Sequence, residues 1–363
     1  PPPVLALLVD AFAQTGIDAR QLFETANKAI VAGRMNKASV DHLRRMLNSY
    51  SHTLSPGGGS RQAILRLCNI LADKVNRQGR IPPTDLVSLF GTLLHLGVRH
   101  DRLLASMARH ISRANLPVYQ DMAVNISHAI GALGWQEWDS AELLGHLSSA
   151  WDIDGHDQPH KLRIFLWGAA AANAFHDSTV RRFVSRLPPQ SLGNPAVFDG
   201  REARMVRQVQ LAWAEAGGDE VPALNIKFNV DIKDTRKQLR SSLPHTRIFK
   251  ALSQLGFNVR SEFITDEGLP LDIVIYDHGE VLLGKSKHKI AVEVNGDRHY
   301  VLTQNGHFEL GGRQTMKRRF LEHLGWTLLE VNLRDMEDVR TAAQTIGRQL
   351  DELGVERRPT QAP

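Results

Sequence analysis

An apolar pattern that repeats at a constant offset constrains this chain more than any other feature. Phe12, Gly16, Ile17, Leu22, Phe23, Ala26 and Ile30 return, two copies later, as Leu93, Gly97, Val98, Leu103, Leu104, Met107 and Ile111. The apolar positions have a helical period on either side of a glycine, the residue type that ends one helix and turns the chain into the next. Further copies read Ile130, Leu133, Gly134, Trp135, Leu143, Leu144, Leu147, and then Leu162 through Asn173, Ala174 and Phe175 to Phe183. A copy from Val40 to Val75 has its turn stretched by the run Ser55–Ser60. The spacing, about 37 to 40 residues per helical hairpin, lies in the range of tricopeptide-like and HEAT-like arrays. Five degenerate copies fit between Val4 and Ala216.

A hairpin of this size cannot bury its apolar stripe alone, so the copies are expected to stack into an α-solenoid with a concave face. Trp135, Trp138, Trp151, Trp167 and Trp213 are expected in its core, because indole burial is the usual outcome on such helices. Basic residues assigned to the second helices, Arg99, Arg102, Arg109 and Arg113, then Lys161, Arg163, Arg181, Arg182 and Arg186, either track a phosphate backbone or form a solvated face.

Composition narrows the classes. A hydrophobic share of 42 % with 23 % charged residues is the balance of a folded soluble protein rather than a disordered one. The formal charge of +5 and a sequence pI near 9.4 admit an anionic partner without naming it. Cys68 is alone, which excludes an intrachain disulfide, and it falls on an apolar helix face as a core residue. His156 and His160 share a loop with Asp154 and Asp157, but no cysteines complete a zinc site there. No apolar run approaches the roughly 18 residues of a membrane span. The chain opens on Pro1–Pro2–Pro3–Val4 without an initiator Met, and no targeting address is readable there.

The turn-rich, acidic stretch Ala216–Pro222 closes the helical region. Three segments follow from it: a helical-repeat domain over 1–216, a basic connector over 217–240 and an α/β domain over 241–363. The connector carries Lys227, Lys233, Arg236, Lys237 and Arg240 against Asp231 and Asp234. In the last segment the patterning predicts a helix over 242–255, strands over 257–264, 271–276 and 289–295, a helix over 312–324, a strand over 326–332 and a helix over 336–353. The fold class is thus α followed by α/β.

The strand ending in Lys289–Tyr300 carries the candidate chemistry. Ile290, Val292 and Val294 alternate with Ala291, Glu293 and Asn295, so a carboxylate falls inside an otherwise apolar strand. Such a group needs a cleft, a metal or paired donors. Glu293 either ligates a metal or accepts hydrogen bonds from backbone amides and His299. Asp272 has the same two readings, with a basic neighbour as its alternative partner. Arg313, Lys317, Arg318 and Arg319 form a basic cluster on the following helix, suited to phosphate contact, near a strand mouth bearing Arg298, His299 and Tyr300. A cationic cleft beside an aromatic suits single-stranded RNA.

The order helix, three strands, helix, strand resembles the core of the PD-(D/E)xK nuclease-like fold, the restriction-endonuclease frame. In that family an aspartate and an acid two residues before a lysine hold a divalent metal, which here maps to Asp272 and Glu293 as tentative catalytic residues. The lysine position is Asn295, a departure that puts cleavage in doubt, although Lys317 on the next helix offers a replacement. More specifically, the run Ile290–His299, then Gly312, Thr315, Lys317, Arg318, Arg319, Leu321 and Leu324–Gly325–Trp326, resembles the RAP domain, whose strand more often reads E-V-D-G-x-x-H, with aspartate at the place of Asn295. The resemblance covers about Ser241 to Leu333. RAP domains commonly follow degenerate repeats of the heptatricopeptide or octotricopeptide kind.

The resemblance implies organellar RNA work, with Arg298, His299, Tyr300, Arg313, Lys317, Arg318 and Arg319 on RNA. The leading expectation is a mitochondrial protein that binds ribosomal RNA as a component or assembly factor of the mitochondrial ribosome. A plastid is the alternative location, and ribosomal or other organellar RNA-metabolism proteins are the expected partners. No cofactor is expected unless the chain is instead a metal-dependent endoribonuclease or transcript-processing factor, which would use Mg²⁺. A helical-repeat scaffold that binds other proteins is the third expectation.

Overall fold

The computed structural model describes residues 2–15, 19–53, 58–77, 81–113, 118–151, 158–195, 198–225, 242–277, 280–281, 289–336 and 338–357. The Gly16–Ile17 turn, residues 55–57 of the Ser55–Ser60 run, the Asp154–Asp157 loop and the connector residues from Lys227 to Arg240 lie outside them. The chain groups into two compact units, one of Pro1–Gly193, Gly218–Ala223 and Tyr300–Arg313, the other of Asn194–Gly217, Leu224–His299 and Gln314–Pro363. These units interleave along the chain, whereas the segments expected from composition run linearly.

In the first unit the helices come in five consecutive pairs among the described residues. They are α1 (Pro2–Thr15) with α2 (Arg20–Val31), α3 (Val40–Thr53) with α4 (Gly58–Arg77), α5 (Pro83–Leu96) with α6 (Asp101–Arg113), α7 (Gln120–Leu133) with α8 (Trp138–Leu147), and α9 (Pro159–Ala171) with α10 (Ser178–Ser185). The turns follow from the residues that make them. Gly97 and Gly134 close α5 and α7 with φ of 61° and 68°, and Asn173 takes the same left-handed position after α9 at 57°. Only glycine adopts that region freely, with asparagine the next most tolerant.

The pairs stack in two layers. α1, α3, α5, α7 and α9 pack in succession, and so do α2, α4, α6, α8 and α10. Close approach of α7 and α9 depends on Gly131 and Gly168, where a Cβ on Gly168 would lie 2.3 Å from the Ser127 carbonyl oxygen. Trp135, Trp151 and Trp167 are buried in this unit, and Trp213 is buried in the other. Trp138 is not. It opens α8 right after the extended Glu137 and is 79 % exposed, because a residue in the first turn projects beyond the layer that covers the rest of its helix.

The expected basic track is also mostly taken up. Arg102 pairs with Asp73, Arg109 with Asp139 at 3.5 Å and Lys161 with Asp121 at 2.5 Å. Arg163 is buried and donates to the Leu192 carbonyl at 2.7 Å. Lys161 and Arg163 lie on α9, the first helix of its pair rather than the second.

A small sheet completes this unit. β1 (Val98–Arg99) leaves the Gly97 turn and pairs in parallel with β6 (Tyr300–Thr303), which forms a hairpin with β7 (Phe308–Leu310). Arg99 reaches Glu309 at 2.5 Å, the Leu302 N–H donates to the Gly97 carbonyl at 2.7 Å, and the Arg61 guanidinium lies 4.6 Å from the centre of the Phe308 ring. Gly312 then passes so near the α7 turn that a Cβ on it would lie 1.8 Å from the Gly131 carbonyl oxygen.

The second unit holds α11 (Gly200–Glu215), α12 (Leu243–Gln254), β2 (Val259–Ile264), β3 (Pro270–Asp277), β4 (Glu280–Val281), β5 (Lys289–Asn295), α13 (Gly312–His323, from Gln314 onward), β8 (Trp326–Asn332) and α14 (Val339–Glu352). The sheet runs β2-β3-β5-β8, with β4 on β3. The β2–β3, β3–β4 and β3–β5 pairs are antiparallel, and β5 and β8 are parallel across the α13 crossover. Ile248 and Leu252 of α12, Ile273 and Ile275 of β3, Ile290, Val292 and Val294 of β5, Leu329 and Val331 of β8 and Ile346 and Leu350 of α14 form one core. Burying each such side chain stabilises the unit by about 1.5–3 kcal/mol. Ala291, Glu293 and Asn295 turn to the opposite face, and they are buried too.

Gly168→Ala has no room to relax, because its Cβ meets backbone. We expect a loss of about 3 kcal/mol or more, visible as a lowered midpoint in urea, whereas Gly217→Ala, with open space around it, loses only the cost of its positive φ.

Candidate functional site

The site is built where the β3–β5 ladder ends. Ile273 pairs with Val292, and beyond that pair the two acidic side chains take over the role of ladder acceptors. The Asp272 N–H donates to Glu293 Oε1 at 3.4 Å, and the Val294 N–H donates to Asp272 Oδ2 at 2.8 Å. The exchange is reciprocal: each carboxylate accepts from the backbone of the other strand. His245 of α12, also buried, donates its Nε2–H to the Asp272 carbonyl at 2.9 Å, which assigns the proton to that nitrogen.

Glu293 is 7 % exposed, and its other oxygen accepts from Lys317 Nζ at 2.5 Å. α13 therefore delivers its ammonium to the strand acid. Burial pushes the Glu293 carboxyl up to about 7; Lys317 pulls against that rise and the nearby Asp272 charge adds to it. Glu293 thus lies in reach of protonation near neutral pH despite a cation in contact.

The neighbouring residues are paired in the same way. Arg318 bonds Glu330, which stands opposite Glu293 in the parallel β5–β8 register, and Arg319 donates to Glu215 of α11 at 2.6 Å. Asn295 Oδ1 meets His299 Nδ1 at 3.1 Å. The short helical turn Asp297–His299 folds the His299 ring back four residues along the chain onto Asn295. Arg334 bridges to Asp297 at 2.6 Å. Arg298 is exposed and makes no ion pair among the described residues.

In the first unit, Tyr300 begins β6 opposite Leu310, and Arg313 is exposed on the turn after Gly312. The expected RNA-contacting set is thus divided. Arg298, His299, Lys317, Arg318 and Arg319 belong to one unit, and Tyr300 and Arg313 to the other. Glu330 and Glu215 as ion-pair partners, and His245 as a hydrogen-bond donor to the Asp272 carbonyl, were not foreseen from sequence. A buried histidine near an N-terminal proline turn and a glutamate alternating with Leu329 and Val331 were the available signals.

Asp272 and Glu293 stand on adjacent strands, as a metal site would need. Their arrangement does not fit a divalent cation: Lys317 occupies the space against Glu293, and backbone N–H groups engage both acids. Among the described residues, no group of three or more His, Cys, Asp or Glu is placed to hold a metal. The arrangement locks two strand ends and a crossover helix together.

With that geometry in place, the comparison with known families is decisive for one stretch. Residues 292–346 match the RAP domain. The RAP domain is an RNA-binding domain. The match begins at Val292, spans Glu293, the β6–β7 hairpin, Lys317 and β8, and ends at Ile346 in the core of α14. No curated protein matches the chain. No helix among the described residues is long and apolar enough to cross a membrane.

The raised pKa of Glu293 makes a signed prediction. Its folded value near 7 stands above the ordinary 4.5, so folding favours the neutral acid. The associated stability is complete below about pH 4.5 and is lost as pH rises through 7, a change of roughly 3 kcal/mol. Denaturant melts of the native protein and Glu293→Gln should converge by that order between pH 4.5 and 8; parallel curves would contradict the assignment. Lys317→Met strands the acid and should destabilise most above pH 7, by about 3–5 kcal/mol.

Proposed function

We propose that this chain is an RNA-binding protein of an organelle, most simply a mitochondrion, that holds ribosomal RNA as a component or assembly factor of its ribosome. The match of residues 292–346 to the RAP domain carries this reading. A formal charge of +5 suits a polyanionic partner. Support for a nuclease-like frame comes from the strand order, with the antiparallel β2–β3 and β3–β5 ladders and the parallel β5–β8 crossover around Asp272 and Glu293. Support for an α-solenoid of the heptatricopeptide or octotricopeptide kind comes from the five stacked helix pairs. A plastid location and contact with other RNA-metabolism proteins belong to the same proposal.

Binding is proposed without a cofactor. The Lys317–Glu293 pair takes the place that metal-assisted cleavage would require, so the reading favours holding RNA over cutting it. Within the candidate contacts, exposure separates two roles. Arg298 and Arg313 face solvent and are free to meet phosphates, with His299 and Tyr300 beside Arg298 in the chain. Lys317, Arg318 and Arg319 act through the ion pairs that shape their surroundings.

Salt titrations test this division. Each phosphate contact contributes about 0.9 to the slope of log K against log salt on duplex and about 0.7 on single strands. Arg298→Ala and Arg313→Ala should each lower that slope by about that amount with little change in melting temperature. Lys317→Ala should instead lower the melting temperature. A chain that binds no RNA at low salt would end the proposal.

A further inference from the structure

The sheet face that carries Glu293 holds rows of two kinds. In one, Glu293 stands opposite Glu330, and α13 answers the two acids with Lys317 and Arg318. The next row toward the start of β5 has no acid: Arg260 pairs with Val274, Val274 with Ala291 and Ala291 with Leu328. Beyond it, Lys289 stands opposite Trp326.

Arg260 and Lys289 are thus cations on rows without a carboxylate, and both lie against rings. The Arg260 guanidinium carbon is 5.7 Å from the centre of the Phe263 ring, the Phe263 and Trp326 centroids are 6.2 Å apart, and Lys289 Nζ is 5.5 Å from the centre of the Trp326 ring. The order is cation, ring, ring, cation. Among the described residues neither of these cations makes an ion pair, whereas Lys317, Arg318 and Arg319 all do.

The backbone bends to make this arrangement. Residues three apart fall on opposite faces of a regular strand, so Phe263 would leave the face of Arg260. The ring contacts nevertheless bring it there, next to Glu262, whose φ of 53° is a left-handed value that residues with a side chain rarely take. Strain of this kind persists only where the surroundings hold it, and it gathers at binding sites.

The chemistry selects the ligand. A ring attracts a cation through its quadrupole and leaves the charge intact. Arg260 is exposed and Lys289 half-buried, so two fixed charges without acidic partners face outward at separate points. A chain of regularly repeated anions can meet both, and the phosphates of a polynucleotide are such a chain.

We propose that Arg260 and Lys289 contact backbone phosphates of bound RNA, one at each end of the Phe263–Trp326 pair. This rests on the RNA-binding reading and adds two contacts that precede the matched stretch 292–346. Salt titration of the full chain against a labelled single-stranded oligo(U) tests it. Methionine keeps an apolar stem on the ring and removes the charge. Arg260→Met and Lys289→Met should each lower the slope of log K against log salt by about 0.7, and both together by about 1.4. The double variant should lose the same increment on oligo(A), because phosphate contacts carry no sequence information, and Lys289→Arg should keep the native slope. A native chain that binds oligo(U) with a slope the double variant leaves unaltered overturns this inference while the RNA-binding reading stands. A double variant that lowers only the melting temperature assigns both cations to the fold and overturns it as well. A native chain that binds neither oligomer at low salt overturns both.

Discussion

The contact between Lys317 and Glu293 is the interaction on which the C-terminal unit turns. A carboxylate 7 % exposed on β5 is costly to bury, and single removal of either partner leaves an uncompensated charge. The pair works because three separate elements supply its bonds: β3 through the Asp272 N–H, β5 through the acid itself and α13 through the ammonium. Around it, Arg318–Glu330 and Arg319–Glu215 tie α13 to β8 and α11. A helix described by charge alone as a phosphate-binding face is thus largely an internal fastening.

That fastening changes the meaning of the family match. Within 292–346, Glu293, Lys317 and the apolar positions of β5 and β8 hold the sheet together. Arg298 and Arg313 are the exposed arginines of the stretch before α13 and its first turn. Chemistry on a strand acid requires an accessible acid and an open coordination sphere. Glu293 is buried and held by Lys317 and the Asp272 N–H.

The β6–β7 hairpin lies within the matched stretch and yet groups with the helical pairs, through the parallel β1–β6 ladder and the Gly312 approach to the α7 turn. Its signal was present: Asn305–Gly306 between alternating residues is a strong hairpin mark, and Gly306 has φ of 82°. The patterning nevertheless predicts strands over 289–295 and 326–332 and none at Tyr300–Thr303. The short helical turn Asp297–His299 and pairing with Val98–Arg99 and β7 set it apart from β5.

Local periodicity determined most of the elements. The pairing of helices, the left-handed turns at Gly97, Gly134 and Asn173, and the strands on either side of α13 follow from apolar spacing and from which residues tolerate positive φ, both properties of short segments. The buried position of Glu293 was legible for the same reason, since Val292 and Val294 enclose it in one strand. What Glu293 bonds to was decided by folding. Lys317 lies 24 positions away, Asp272 lies 21 positions away on another strand, and Glu215 reaches Arg319 across 104 positions. Charge in a sequence has a sign but no partner. Burial and distance assign the partner, and both come into being only when the strands and helices pack.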